Sequence, residues 1–164
     1  MTRPLYGRDR ELALTCETLR DEPGALVTLL GPPGVGKTAL ALAALDDGGT
    51  RRAFPGGLYR VSLGGARGGD APAVRARVAD ALGAPALTTG DDPVAAWLAS
   101  AGRALVLLDE CEGACEAAAE ALARWRAVAA DVAWLVTSRR ALGLQGERVI
   151  ALGGIDPASA NELI

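Results

Sequence analysis

The stretch Leu26-Val-Thr-Leu-Leu-Gly31-Pro32-Pro33-Gly34-Val35-Gly36-Lys37-Thr38 constrains this chain more than any other. It opens on an unbroken aliphatic and β-branched run, the pattern of a buried parallel strand. Gly31 to Thr38 then fits G-x-x-x-x-G-K-[ST], and the Ala- and Leu-rich continuation from Ala39 favours a helix. Strand, glycine-rich turn and helix are the context in which this motif cradles phosphate. Gly31, Gly34 and Gly36 allow positive φ and remove Cβ atoms, so successive backbone N–H groups can turn inward around an anion. The helix that follows points its positive end at the same place. Lys37 can reach β- and γ-phosphates, and the Thr38 hydroxyl can coordinate Mg²⁺. The candidate nucleotide site is therefore Gly31, Pro32, Pro33, Gly34, Val35, Gly36, Lys37, Thr38 and Ala39.

At 164 residues, half of them hydrophobic, the chain can bury a core as one domain without disulfides or metal. Aromatics are only 4%, so Ala, Leu and Val carry the packing. A net charge of −3 offers no basic footprint for DNA or RNA on this segment. The absence of histidine excludes Ser-His-Asp triads and histidine-containing zinc sites. Cys16, Cys111 and Cys115 are odd in number and lack C-x-x-C spacing, as expected of reduced thiols buried as small apolar groups. There is no secretory signal and no long apolar run free of charges or Gly/Pro breaks, which points to the cytoplasm.

Along the chain, an approach loop leads to a helix over about residues 8–20, ended at Asp21-Glu-Pro-Gly24. Taken alone, Tyr6-Gly7-Arg8 reads as an ordinary turn into that helix. Asp46-Asp-Gly-Gly-Thr50 reads as a loop, 57–63 as a second strand and 71–82 as a helix with Pro72 in its first turn. Residues 83–92 form a loop, and a short helix over 93–101 starts from the acidic pair Asp91-Asp92. A third strand, 103–109, ends in Asp109 and Glu110; an alanine-rich helix covers 114–130. A fourth strand over 132–136 leads into Thr137-Ser-Arg139, and a fifth spans 148–152. A further helix begins at Asp156-Pro-Ala-Ser. This alternation specifies an α/β protein with a parallel sheet covered on both faces.

Asp109 follows an aliphatic run, so it emerges at the carboxyl edge of the sheet, where open α/β sheets bind ligands. A carboxylate there can hold Mg²⁺ through water, and Glu110 can polarise an attacking water. Arg139 takes the equivalent place after the fourth strand and can sense a γ-phosphate bidentately; its neighbour Arg140 is the competing candidate. The guanine signature [NT]-K-x-D and a D-x-x-G switch are missing, and no arginine-bearing kinase lid is evident. Adenine nucleotide, ATP or ADP with Mg²⁺, is the expected cofactor.

Four stretches in order carry a resemblance: Tyr6-Gly7-Arg8-Asp-Arg-Glu11, the glycine-rich loop, Leu105-Val-Leu-Leu-Asp109-Glu-Cys-Glu112, and Thr137-Ser-Arg-Arg-Ala-Leu-Gly-Leu-Gln-Gly-Glu147. Together they resemble the nucleotide-binding core of STAND signalling ATPases, relatives of NB-ARC domains. The nearest branch is the one attached to bacterial LuxR-type and antibiotic-regulatory transcriptional activators. The resemblance implies a three-layer P-loop NTPase of the ASCE/RecA-like kind, with five parallel strands in the order 5-1-4-3-2. It implies that Gly7 and Arg8 lie by the adenine, that Lys37 and Thr38 bind phosphate and Mg²⁺, that Asp109 is the metal-side acid and that Arg139 is the γ-phosphate sensor. It divides the chain into an adenine-side approach segment (1–24), the P-loop core (25–155) and the start of a helical lid (156–164). Two positions depart from the family pattern: Glu110 stands where Asn is usual and favours hydrolysis, and Gly113 stands where His is usual. Family members continue into a helical lid and a winged helix, so a chain ending at Asn161-Glu-Leu-Ile164 is expected to be a fragment or a minimal core, with weak affinity and slow turnover. The function expected is an ATP/ADP switch working through protein partners or further domains. An AAA+-type motor or loader ATPase and a P-loop kinase are the alternatives.

Overall fold

The computed structural model describes residues 5, 7–65, 71–84 and 92–153. Helix α1 (Asp9–Asp21) leads into β1 (Leu26–Leu30), the phosphate-loop turn and α2 (Lys37–Asp46). A short α3 (Gly48–Ala53), β2 (Leu58–Ser62), α4 (Ala71–Leu82) and α5 (Pro93–Ala101) follow. Then come β3 (Leu105–Asp109), one turn of 3-10 helix (Cys111–Gly113), α6 (Cys115–Val128), β4 (Ala133–Ser138) and β5 (Glu147–Ala151). The strands pair in parallel in the order β2-β3-β4-β1-β5, which is the expected 5-1-4-3-2 read from the other edge. The helix start at Asp156 lies outside the described residues.

The central strands are buried on both sides because alternate residues serve two separate cores. Leu26, Val106, Leu108, Trp134 and Val136 pack with side chains of α4, α5 and α6. Val27, Leu29, Leu105, Leu107 and Leu135 pack on the opposite face with α1 and α2. Bulk in this aromatic-poor interior comes from Trp125 stacked on Trp134, with ring centroids 5.7 Å apart. Trp125 Nε1 donates to Asp92 Oδ2 (2.8 Å), while Asp92 Oδ1 accepts the Val94 and Ala95 N–H groups at the start of α5. One carboxylate thus caps one helix and anchors another.

One expected loop is a helix. Residues 46–50 read as irregular because of Gly48-Gly49, yet α3 begins at Gly48. Asp47 caps it, accepting both the Thr50 N–H (2.8 Å) and the Thr50 hydroxyl (3.0 Å), which offsets the entropic cost of two glycines. The three thiols are free and buried, and burial pushes those of Cys16 and Cys111 up. Among the described residues, no helix is long and apolar enough to cross a membrane.

Candidate functional site

The strand order determines which residues meet. β4 lies between β1 and β3, with Leu29 in register with Thr137 and Leu108 with Val136. The chain leaving β1 therefore shares the carboxyl edge of the sheet with Asp109 and with the end of β4. A cleft of about 570 Å³ opens there, lined in part by Gly34, Gly36, Lys37, Thr38, Glu110, Glu112, Thr137 and Arg139.

Gly34 (φ 78°) and Gly36 (φ 101°) sit in the left-handed region, where a side chain would be strained. Gly31 differs from the sequence expectation. Its φ is not positive, but a Cβ there would stand 2.8 Å from both the Leu152 carbonyl and Val35 Cγ1, so the requirement is close approach. No side chain caps α2, whose first turn also lacks an acid, so its N–H groups are left for an anion at the cleft. Lys37 is buried, donating from Nζ to the Gly31 (2.8 Å) and Pro32 (2.9 Å) carbonyls, with Glu112 Oε1 3.9 Å away.

Asp109 is 1% exposed and lies just beneath the cleft. Its Oδ1 accepts the hydroxyls of Thr38 (2.9 Å) and Thr137 (2.6 Å), and its Oδ2 accepts from the Arg60 guanidinium (2.9 Å). A buried carboxylate needs such compensation. Glu110 adopts a left-handed conformation (φ 59°), the one non-glycine with positive φ among the described residues. Its N–H donates to Thr137 Oγ1 (2.9 Å), and its carboxylate accepts from the Ser62 hydroxyl (3.3 Å). Arg139 lines the cleft; Arg140 faces away, 4.0 Å from Glu116 on α6. Glu147 holds the intervening loop in shape: its carboxylate accepts the Leu142 and Gly143 N–H groups (both 2.8 Å) and the Thr28 hydroxyl (2.6 Å).

Gly7 and Arg8 stand outside the described lining of the cleft. Arg8 is buried, pairs with Glu11 (3.0 Å) and donates to the Gly153 carbonyl, next to the Leu152 that packs against Gly31. Sequence reasoning brought Lys37, Thr38, Asp109, Glu110 and Arg139 to one edge; it missed Arg60 and Glu112. The Arg60 contact depends on β2 lying beside β3, which no local pattern reveals.

The donor set suits a hard cation. Thr38 and Asp109 offer oxygen only, whereas no group of three or more His, Cys, Asp or Glu among the described residues could hold a metal unaided. Such a pair fits Mg²⁺, which keeps several waters and shares phosphate oxygens.

The sheet order, the glycine-rich turn and the acid at the tip of β3 define a three-layer P-loop NTPase fold. Solved structures share it. Cdc6p from Pyrobaculum aerophilum is 20% identical, with a TM-score of 0.59, over 92% of this chain and 48% of that one. A Signal Transduction ATPase with Numerous Domains (STAND) protein from Pyrococcus horikoshii, bearing a tetratricopeptide repeat sensor, is 20% identical with a TM-score of 0.57, over 98% of this chain and 25% of that one. The Aeropyrum pernix ORC2 protein, solved as ADPNP–ADP complexes, is 14% identical with a TM-score of 0.55, over 84% and 42%. The chain thus spans about half of the Cdc6p structure and a quarter of the STAND structure. No protein-family model and no curated protein matches it.

Proposed function

We propose that this chain is the nucleotide-binding core of an ATP/ADP-responsive switch of the STAND kind, with slow Mg²⁺-dependent ATPase activity. The observation that carries the reading is the convergence of Lys37, Thr38, Asp109 and Arg139 at the uncapped start of α2. The N–H groups of Gly34, Gly36 and the first turn of α2 from Lys37 to Ala39, with the Lys37 ammonium, hold the phosphates. Thr38, with Asp109 acting through water, holds Mg²⁺, which when bound neutralises phosphate charge. Arg139 reads the γ-phosphate, and Glu110 orients water. Gly7 and Arg8 form the adenine side, tied by Arg8 to Gly153 in the chain just beyond β5. Nucleotide binding then biases conformation in partner proteins or in further domains, including a transcription-regulatory output, rather than driving chemistry on a second substrate.

The Asp109-Glu110 pair and the likeness to Cdc6p and ORC2 favour a second reading, an AAA+-type loader or motor. One experiment separates them: ATP and ADP affinities by calorimetry, with particle size and turnover recorded in each state. The switch reading expects both nucleotides to bind, no hexamer, and hydrolysis slower than about 1 s⁻¹, at the bottom of the usual enzyme range. A nucleotide-driven hexamer with faster turnover supports the motor, and no binding of either nucleotide sinks both.

A further inference from the structure

Among the described residues, the charged side chains that line the cleft are Lys37, Arg139, Glu110 and Glu112, two of each sign. Glu110 is placed to orient water, whereas Glu112 has no such part and faces the cation that a polyphosphate needs most. Lys37 has three N–H donors. Two go to the Gly31 and Pro32 carbonyls, and among the described residues Lys37 forms an ion pair with Glu112, whose Oε1 lies 3.9 Å away. Both side chains are largely shielded, at 8% and 24% exposed, so this pair is screened less than a surface one.

The backbone holds Glu112 in that position. The left-handed turn at Glu110 begins the 3-10 helix, which sends Cys111 into the core and leaves Glu112 and Gly113 at the cleft. A non-glycine residue in this conformation is costly, and the bond from its N–H to Thr137 Oγ1 helps retain it.

We infer that Glu112 is an internal competitor for the phosphate group: its carboxylate pairs with Lys37 when no phosphate is bound, and a triphosphate competes with it for that ammonium. The inference rests on the nucleotide-site reading and adds a regulatory element to it. Nucleotide affinity is then set partly by the position of the 110–113 turn, so anything that moves this turn adjusts affinity without touching the ligand.

The test compares the wild-type chain with Glu112→Gln and Glu112→Asp by calorimetry, using Mg·ATP and inorganic tripolyphosphate. Removing the charge should tighten both ligands by about three- to tenfold, as expected for a partly shielded ion pair. The Asp variant, which keeps the charge, should stay nearer the wild type. Equal or weaker binding of both ligands to Glu112→Gln overturns the proposal, even if Mg·ATP binds the wild type well. Tighter tripolyphosphate binding to Glu112→Gln, with no preference for ATP in any variant, upholds the competitor and rejects the adenine-nucleotide reading. No binding of either ligand to any variant overturns both.

Discussion

The Thr38 hydroxyl donates to Asp109 Oδ1 across 2.9 Å, joining the first turn of α2 to the tip of β3 over the end of β4. The contact spans 71 positions of chain and exists because parallel order brings three strand ends to one edge. With Thr137 and Arg60 also on Asp109, a single buried carboxylate ties four elements together.

Asp109→Ala should therefore cost about 3 kcal/mol in urea unfolding, since two hydroxyls and a guanidinium lose their shared partner. Asp109→Asn keeps the shape and should cost less, yet weaken Mg²⁺-dependent nucleotide binding at least about tenfold, or 1.4 kcal/mol. A neutral effect of the Ala variant on stability would show that the network carries no energy.

Arg139 and Arg140 are adjacent in sequence and differ in aim. Arg139→Ala should reduce discrimination between ATP and ADP in paired titrations. Arg140→Ala, over α6, should leave that ratio unchanged. Unchanged relative affinities in the Arg139 variant would remove its assignment as sensor.

Glu110 combines an unusual conformation with a carboxylate in the cleft. Glu110→Gln should slow hydrolysis more than it weakens binding; an equal loss in both would make the residue structural. Glu110→Gly should be more stable than Glu110→Ala by about 1 kcal/mol, because only glycine enters the left-handed region without strain.

Asp47 supplies a pH-dependent increment. Bonds from Thr50 hold its carboxyl below the ordinary value of 3.8, the backbone N–H first. A depressed folded pKa means the contribution is present above the unfolded pKa and lost as pH falls through the folded one. Asp47→Ala should therefore cost about 1 kcal/mol at pH 7, a typical helix cap, with the difference from wild type shrinking below pH 3.8 in thermal melts. A difference constant across acid pH would assign the cost to something other than the carboxylate.

Much of the fold was legible because the elements announce themselves locally. The Leu105–Leu108 run, buried on both faces, reads as a central strand, and an acid directly after it must surface at the sheet edge. Helix α3 was not legible: Gly48-Gly49 argues for a loop, and only the Asp47 cap reverses that. The need for Gly31 was legible but not its cause, which is the approach of Leu152, just after β5 and more than a hundred residues away. Arg60 was invisible for the same reason: its meaning lies in β2 pairing with β3, not in its neighbours. Of the acids after β3, only the turn at Glu110 reveals that Glu112 points back at Lys37.

The most direct test is a crystal structure with magnesium and an unhydrolysable ATP analogue. The predicted result is a triphosphate wrapped by Gly31 to Thr38, with Lys37 and Arg139 on its terminal phosphate and the metal on the Thr38 hydroxyl, Asp109 behind it. An analogue bound elsewhere, or an empty loop with Arg139 turned away, would contradict the account.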